Sequence, residues 1–194
     1  LKRHLPFALT TFRLLLGPLA LGCASTGQPR WIFLPILVAG ALSDIFDGVL
    51  ARRFGIATPA LRRYDSSTDL IYYLFILGAL WRLCAPVVSA NRPAVALLLA
   101  AELATLLTCI LKFGKYPATH SWMAKTYSLC LLGGLTALLC FNAANWAILG
   151  LTLISLATHG EIIAMHLIAR RQPVDVRSVF QLIRQQRQSS QTAP

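Results

Sequence analysis

Acidic side chains are scarce in this chain. Its 194 residues hold seven Asp and Glu against 18 Lys and Arg, and charged residues of both signs make up only 13%. Together with 56% hydrophobic residues, that scarcity argues against a soluble domain, which has no need of so much apolar surface at this length. Paired cysteines are missing too. Cys23, Cys84, Cys109, Cys130 and Cys140 stand singly in apolar runs, with no C-x2-C pair. This pattern argues against a disulfide framework or a thiolate metal site and leaves them as packing residues. A cleaved signal peptide is not expected either, because the run from Leu5 to Ala24 is followed by no clear small-residue cleavage site. No internal repeat is evident.

What the chain does have is long, nearly charge-free apolar runs, and a mean hydropathy of +0.63. Six spans are expected, at about Pro6–Ala24, Trp31–Ala51, Asp65–Val87, Ala94–Lys112, Met123–Phe141 and Trp146–Ile168. Each is close to the ~20 residues that cross a ~30 Å hydrocarbon core. The breaks between them carry Gly, Pro and Asn, as turns do. Trp31, Trp81 and Trp146 fall near span ends, where interfacial anchors sit.

The net charge of +11 could suit nucleic acid. The positions of the basic residues fit membrane topology better. Arg30, Arg82 and Arg92 stand at one set of span ends, and the remaining Lys and Arg collect at the other. The positive-inside rule then places both termini in the cytoplasm, as an even number of spans requires. The expectation is an all-α integral membrane domain over 1–170. A basic cytoplasmic tail over 171–194 would follow, with a short surface helix among Val176, Val179, Phe180 and Ile183 and a disordered end.

Four of the seven acids lie close together, as Asp44, Asp47, Asp65 and Asp69. On the second span Asp44, Asp47, Gly48 and Ala51 share one helical face. On the third, Asp65 and Asp69 are one turn apart. The two spans run antiparallel through a loop rich in arginine, so the four carboxylates converge at the cytoplasmic end of a hairpin. Carboxylates so close, and near lipid, need a counter-charge. Arginine pairs from Arg52, Arg53, Arg62 and Arg63 are one solution. They would be expected outside the apolar run, however, and Asp44 and Asp47 lie within it. Two divalent cations are the other solution, and all-oxygen ligands favour Mg2+ or Mn2+. Such a pair would suit a diphosphate substrate.

The full spacing, D-x2-D-G-x2-A-R-x8-L-x3-D-x3-D from Asp44 to Asp69, resembles the signature of the CDP-alcohol phosphatidyltransferases. The departure is Leu61, where that family has Gly. A weaker similarity extends over Leu5–Arg13 to the family's I-P-N-x-L-T-x-x-R opening, with Phe7 in place of Asn. The resemblance implies a six-helix homodimeric membrane enzyme that transfers a substituted phosphoryl group from a CDP-linked donor to an alcohol and releases CMP. It also implies that Asp44, Asp47, Asp65 and Asp69 hold the metals. Asp69 would act as general base, and Gly48, Ala51 and Arg52 would lie beside the nucleotide. Leu61 would be accommodated if the chain bends nearby, at Gly55 or Pro59.

On this reading the donor is CDP-diacylglycerol and the product a phospholipid, made in a membrane (the inner membrane if the cell is bacterial) with the site facing the cytoplasm. The alternative is a water-soluble CDP-alcohol such as CDP-choline, with a lipid acceptor. Lys115, His120 and Lys125 are candidates for binding an acceptor phosphate, against the simpler reading of a positive-inside loop. Glu102, His159, Glu161 and His166 lie within spans, where they would serve hydrogen bonding between helices or acceptor binding. Two readings from other classes remain. A divalent-cation transporter would distribute its polar groups across the membrane, whereas these acids crowd one side. An inactive membrane scaffold would carry the motif without its chemistry, as the changes at Phe7 and Leu61 allow.

Overall fold

The computed structural model describes residues 4–56, 58–115, 121–142, 145–169, 172–173 and 176–191, and among them there is no strand. The helices are α1 (Leu5–Ser25), α2 (Phe33–Arg53), α3 (Pro59–Ala90), α4 (Arg92–Phe113), α5 (Trp122–Phe141), α6 (Asn145–Ile168) and α7 (Val179–Gln191), with a 3-10 turn at Arg30–Ile32. Six helical segments are long and apolar enough to cross a membrane: Leu5–Ser25, Arg30–Arg53, Ser67–Ala90, Arg92–Phe113, Trp122–Phe141 and Asn145–Ile168. They coincide with the six expected spans to within a few residues. The described residues form an all-helical structure with six helices of a length and composition suited to a membrane. It divides into two compact units, residues 1–89 with 135–144, and residues 90–134 with 145–194.

The first unit is built on α1, α2 and α3. Pro6 opens α1 in its first turn, where a missing N–H costs nothing. The buried residues of α1 run Pro6, Thr10, Arg13, Gly17, Ala20 and Ala24, one stripe at helical spacing. On α2 the stripe runs Phe33, Ile36, Leu37, Gly40, Ser43, Asp47 and Ala51. The opposite faces are apolar as well, with Leu15, Leu19, Leu42, Ile45 and Phe46 exposed. A helix apolar all round suits lipid on one side and protein on the other. Small residues let the helices approach. The Cβ position of Gly17 is 3.0 Å from the Phe75 ring, and that of Gly40 is 2.6 Å from the Tyr72 hydroxyl. Tyr72 is 3% exposed and its ring lies edge-on to Tyr73, so it has little room to retreat. Gly40→Ala is therefore expected to destabilise the fold by about 1–3 kcal/mol through overpacking, despite the better helix propensity of Ala. An unchanged thermal unfolding midpoint in detergent would contradict it.

Two features of this unit set the hairpin and its far end. α2 stops at Gly55, whose φ of +66° is the left-handed turn that glycine favours. There the Ile56 N–H donates to the Ala51 carbonyl at 3.0 Å, closing the helix end. At the other end α3 leaves helical geometry at Cys84, two residues before Pro86. Arg30 compensates by donating to the Leu83 carbonyl at 2.9 Å and to the Leu138 and Leu139 carbonyls at 3.4 Å. α3 also begins well before the apolar run, so Asp65 precedes the spanning segment that starts at Ser67.

The second unit packs α4 against α6, with polar groups pairing inside the apolar helices. His159 Nδ1 lies 3.0 Å from the Thr105 hydroxyl, and its Nε2 is 3.1 Å from Glu102. Tyr127 donates to Glu102 at 3.2 Å. His166 lies 3.4 Å from the Thr108 hydroxyl, and Glu161 accepts from the Val179 N–H at 3.4 Å. Of the two uses expected for these four residues, the contacts match hydrogen bonding between elements. α7 is tied to this unit by Val176 and Leu182, which are buried with Ile162, Met165 and Ala169, while Phe180 remains 80% exposed.

Candidate functional site

α1, α2 and α3 each contribute charged side chains to one cluster in the first unit. Asp44 and Asp47 come from the second half of α2, Asp65 and Asp69 from the first third of α3, and Thr10 and Arg13 from α1. Arg13 is 2% exposed and lies among all four carboxylates. Its Nη1 pairs with Asp44 Oδ1 and Asp69 Oδ1. Its Nη2 pairs with Asp65 Oδ1, and with Asp47 Oδ2 at 2.8 Å. Asp47 is itself buried, at 4% exposure, and accepts a second hydrogen bond from the Thr10 hydroxyl at 3.0 Å. Burial of this kind is tolerable only with paired charge and hydrogen bonding, and the stripe of α1 supplies both.

The cluster is not closed. The side chain of Asp44 is 52% exposed, and those of Asp65 and Asp69 are 34% exposed. A solute can therefore reach three of the four carboxylates. Burial pushes the Asp65 carboxyl above the usual carboxylate range, and Asp44 pushes the same way, against the pull of Arg13. Two polar atoms inside the network lack hydrogen-bond partners, Arg13 Nε and Asp69 Oδ1; the latter touches Arg13 without hydrogen-bond alignment. Buried polar groups are nearly always satisfied, so the Arg13 Nε marks the cluster as incomplete.

The donor set fits a hard divalent cation. Asp44, Asp47 and Asp65 offer carboxylate oxygens within 4.8 Å of one another, the separation a shared ion needs. Asp69, paired with the same Arg13 and 34% exposed, stands beside them. No sulfur or imidazole is present in the set, which favours Mg2+ or Mn2+ over Zn2+.

The other expected residues fall as follows. Gly48 faces Arg52, whose Nη1 lies 3.5 Å from the Gly48 Cβ position. The Arg52 guanidinium thus folds back over Gly48 on α2, on exposed surface. Ala51 is buried on the α2 stripe. Lys115 is exposed beyond the end of α4, and Lys125 lies over the Trp122 ring at 5.0 Å from its centre. His120 is outside the described residues. Leu61 is 5% exposed, a core residue of the first turns of α3, with its N–H donating to the Thr58 hydroxyl at 3.2 Å. The bend falls at Gly55 instead, so Leu61 needs no special backbone geometry. Phe7 packs on Tyr64 with ring centres 6.1 Å apart, and Thr11 and Tyr64 share a hydrogen bond of 2.8 Å.

The discounted alternative named Arg52, Arg53, Arg62 and Arg63 as counter-ions; the ion pairs described to the four aspartates all come from Arg13. Arg52 and Arg53 are exposed, and the side chains of Arg62 and Arg63 lie outside those described. Arg52 and Arg53, in the last turn of α2, are exposed and keep their hydration, whereas Arg13 is already committed to the interior by its place on the α1 stripe. Its signal in the sequence was a cation within an apolar run, one turn from Thr10. In the sequence it stands only as one of the topology charges and as the last residue of the family-like opening Leu5–Arg13.

No curated protein and no solved structure gives a match to this chain. The family model for CDP-alcohol phosphatidyltransferase matches residues 3–158, which takes in α1, the whole acidic cluster and most of α6. With that match spanning most of its length, the chain belongs to the CDP-alcohol phosphatidyltransferase family.

Proposed function

We propose that this protein transfers the phosphatidyl group of CDP-diacylglycerol to the hydroxyl of a small alcohol, making a phospholipid and releasing CMP. Family membership gives the reaction class, transfer from a CDP-alcohol to an acceptor in a membrane. The observation that carries the finer reading is the gathering of four carboxylates from α2 and α3 at a partly open site. The donor's acyl chains would lie in lipid beside α2, whose outer face presents Leu42, Ile45, Phe46 and Val49. We also take both termini to be cytoplasmic, residues 171–194 to be a cytoplasmic tail, and the enzyme to act as a homodimer.

Asp44, Asp47, Asp65 and Asp69 would hold two Mg2+ or Mn2+ ions, which when bound draw charge from the diphosphate oxygens. Arg52, folded over Gly48, would pair with a phosphate of the nucleotide. Thr10 and Arg13 hold Asp47 in place from behind. Asp69 takes the proton of the acceptor hydroxyl as its oxygen attacks the phosphorus bearing the diacylglycerol. A P–O bond forms to the acceptor, the P–O bond to CMP breaks, and CMP departs with the electron pair.

The test is CMP release by the purified protein with Mg2+ or Mn2+ and CDP-diacylglycerol, across serine, glycerol 3-phosphate, inositol phosphate, inositol and choline. Release with one acceptor is the expected result and names the product. Release only from a CDP-alcohol with diacylglycerol would overturn the donor assignment. Absence of release in every combination would point to a site that has lost its chemistry.

A further inference from the structure

Arg13 has no step in the reaction above, yet it is the cation at the centre of the site. One guanidinium, 2% exposed, touches one oxygen of each of the four aspartates. Three of those carboxylates are the ones whose oxygens lie close enough together to share an ion. Arg13 thus competes with any cation for the same carboxylates. Its Nε and the Asp69 Oδ1 remain without hydrogen bonds. A purely structural ion-pair network would give the Arg13 Nε an acceptor, and its lack of one points to a ligand that completes the site.

We propose that Arg13 is a positioning residue that couples divalent-cation binding to the arrival of the nucleoside diphosphate. This rests on the divalent-cation reading of the four aspartates. Four carboxylates and one guanidinium carry a net charge of about −3, and two divalent cations would turn it to about +1. That surplus is unfavourable alone and favourable once a diphosphate occupies the site. Without Arg13 the same two cations would just neutralise the carboxylates, and the diphosphate would gain less by joining them. Arg13 therefore weakens cation binding in the empty site and strengthens it when nucleotide is present. Because each carboxylate has two oxygens, Arg13 can keep hold of the cluster while yielding part of it. The coupling is reciprocal, so cations raise nucleotide affinity by the same factor.

The experiment is a Mn2+ titration of the full chain in lipid nanodiscs, reading free Mn2+ by electron paramagnetic resonance, with and without CDP. In the wild type, CDP should tighten Mn2+ binding by about tenfold or more, within the usual range of coupling. In Arg13→Gln, Mn2+ should bind about tenfold more tightly without CDP, and most of the CDP effect should vanish. Equal Mn2+ affinity and an equal CDP effect in the two proteins would overturn the coupling and leave the metal site standing. A wild type that binds no Mn2+, with or without CDP, would overturn the metal reading itself. Should Arg13→Gln fail to fold, Arg13→Met replaces it. Methionine keeps an unbranched apolar stem and removes the charge, so Mn2+ affinity without CDP should rise there too. No rise in that variant would again overturn the proposal.

Discussion

Asp69→Asn should lower CMP release by about 10²–10⁴-fold, the usual cost of losing a positioned general base. The substitution keeps the shape of the side chain and removes its ability to take a proton. It should be tolerated by the fold, because the Asp69 side chain is 34% exposed and Arg13 keeps its pairs with the other three aspartates. The loss should fall on kcat with little change in the KM for donor. Residual activity should climb with pH, since an acceptor already ionised in solution needs no base. Additional Mn2+ should not restore the rate. A variant restored to wild-type rate by Mn2+ alone would make Asp69 a ligand and nothing more.

Asp47→Asn should behave differently. Asp47 is the most enclosed of the four, held by Thr10 at 3.0 Å and by Arg13 at 2.8 Å. An amide oxygen in that place can still accept both hydrogen bonds, so the helices should stay packed. The charge is lost, however, and Arg13 then neutralises a larger share of what remains. Cation affinity should fall, and CMP release should drop by about 10²–10³-fold at low Mn2+, reflecting several kcal/mol of lost charge stabilisation. High Mn2+ should recover part of it. The concentration of Mn2+ giving half-maximal rate is the quantity to compare. A shift seen in Asp69→Asn but not in Asp47→Asn would reverse the two assignments.

These expectations draw unequally on sequence and fold. The spans were legible because lipid imposes one requirement, about twenty apolar residues per crossing, that any sequence meeting it displays openly. Phe33–Arg53 and Trp122–Phe141 needed little more than reading. The four aspartates were legible because helical periodicity places Asp44 with Asp47, and Asp65 with Asp69, whatever lies around them. Their separation into two pairs across a short loop fixed a hairpin before any packing was known. Family membership was legible for the same reason, since its signature lies on those two helices.

What the sequence could not supply is the partner brought from a third helix. Arg13 and Asp47 are 34 positions apart, and nothing in local pattern says which stripe of α1 faces α2. That was decided by close approach. Gly17 admits the Phe75 ring and Gly40 admits Tyr72, and these contacts set the rotation of α1 and α2 about their axes. Once the rotation is set, Arg13 has no exit to water and must be neutralised by the acids it meets. The same holds for His159 and Glu102, paired across α4 and α6. The role of Leu61 was likewise a tertiary matter, because Gly55 makes the turn and leaves Leu61 free to fill the core. Sequence by itself determined the six crossings, the acidic motif and its family. Tertiary structure alone decided which cation answers those acids, because a buried charge is paired by what packing brings to it and not by what stands next to it in the chain.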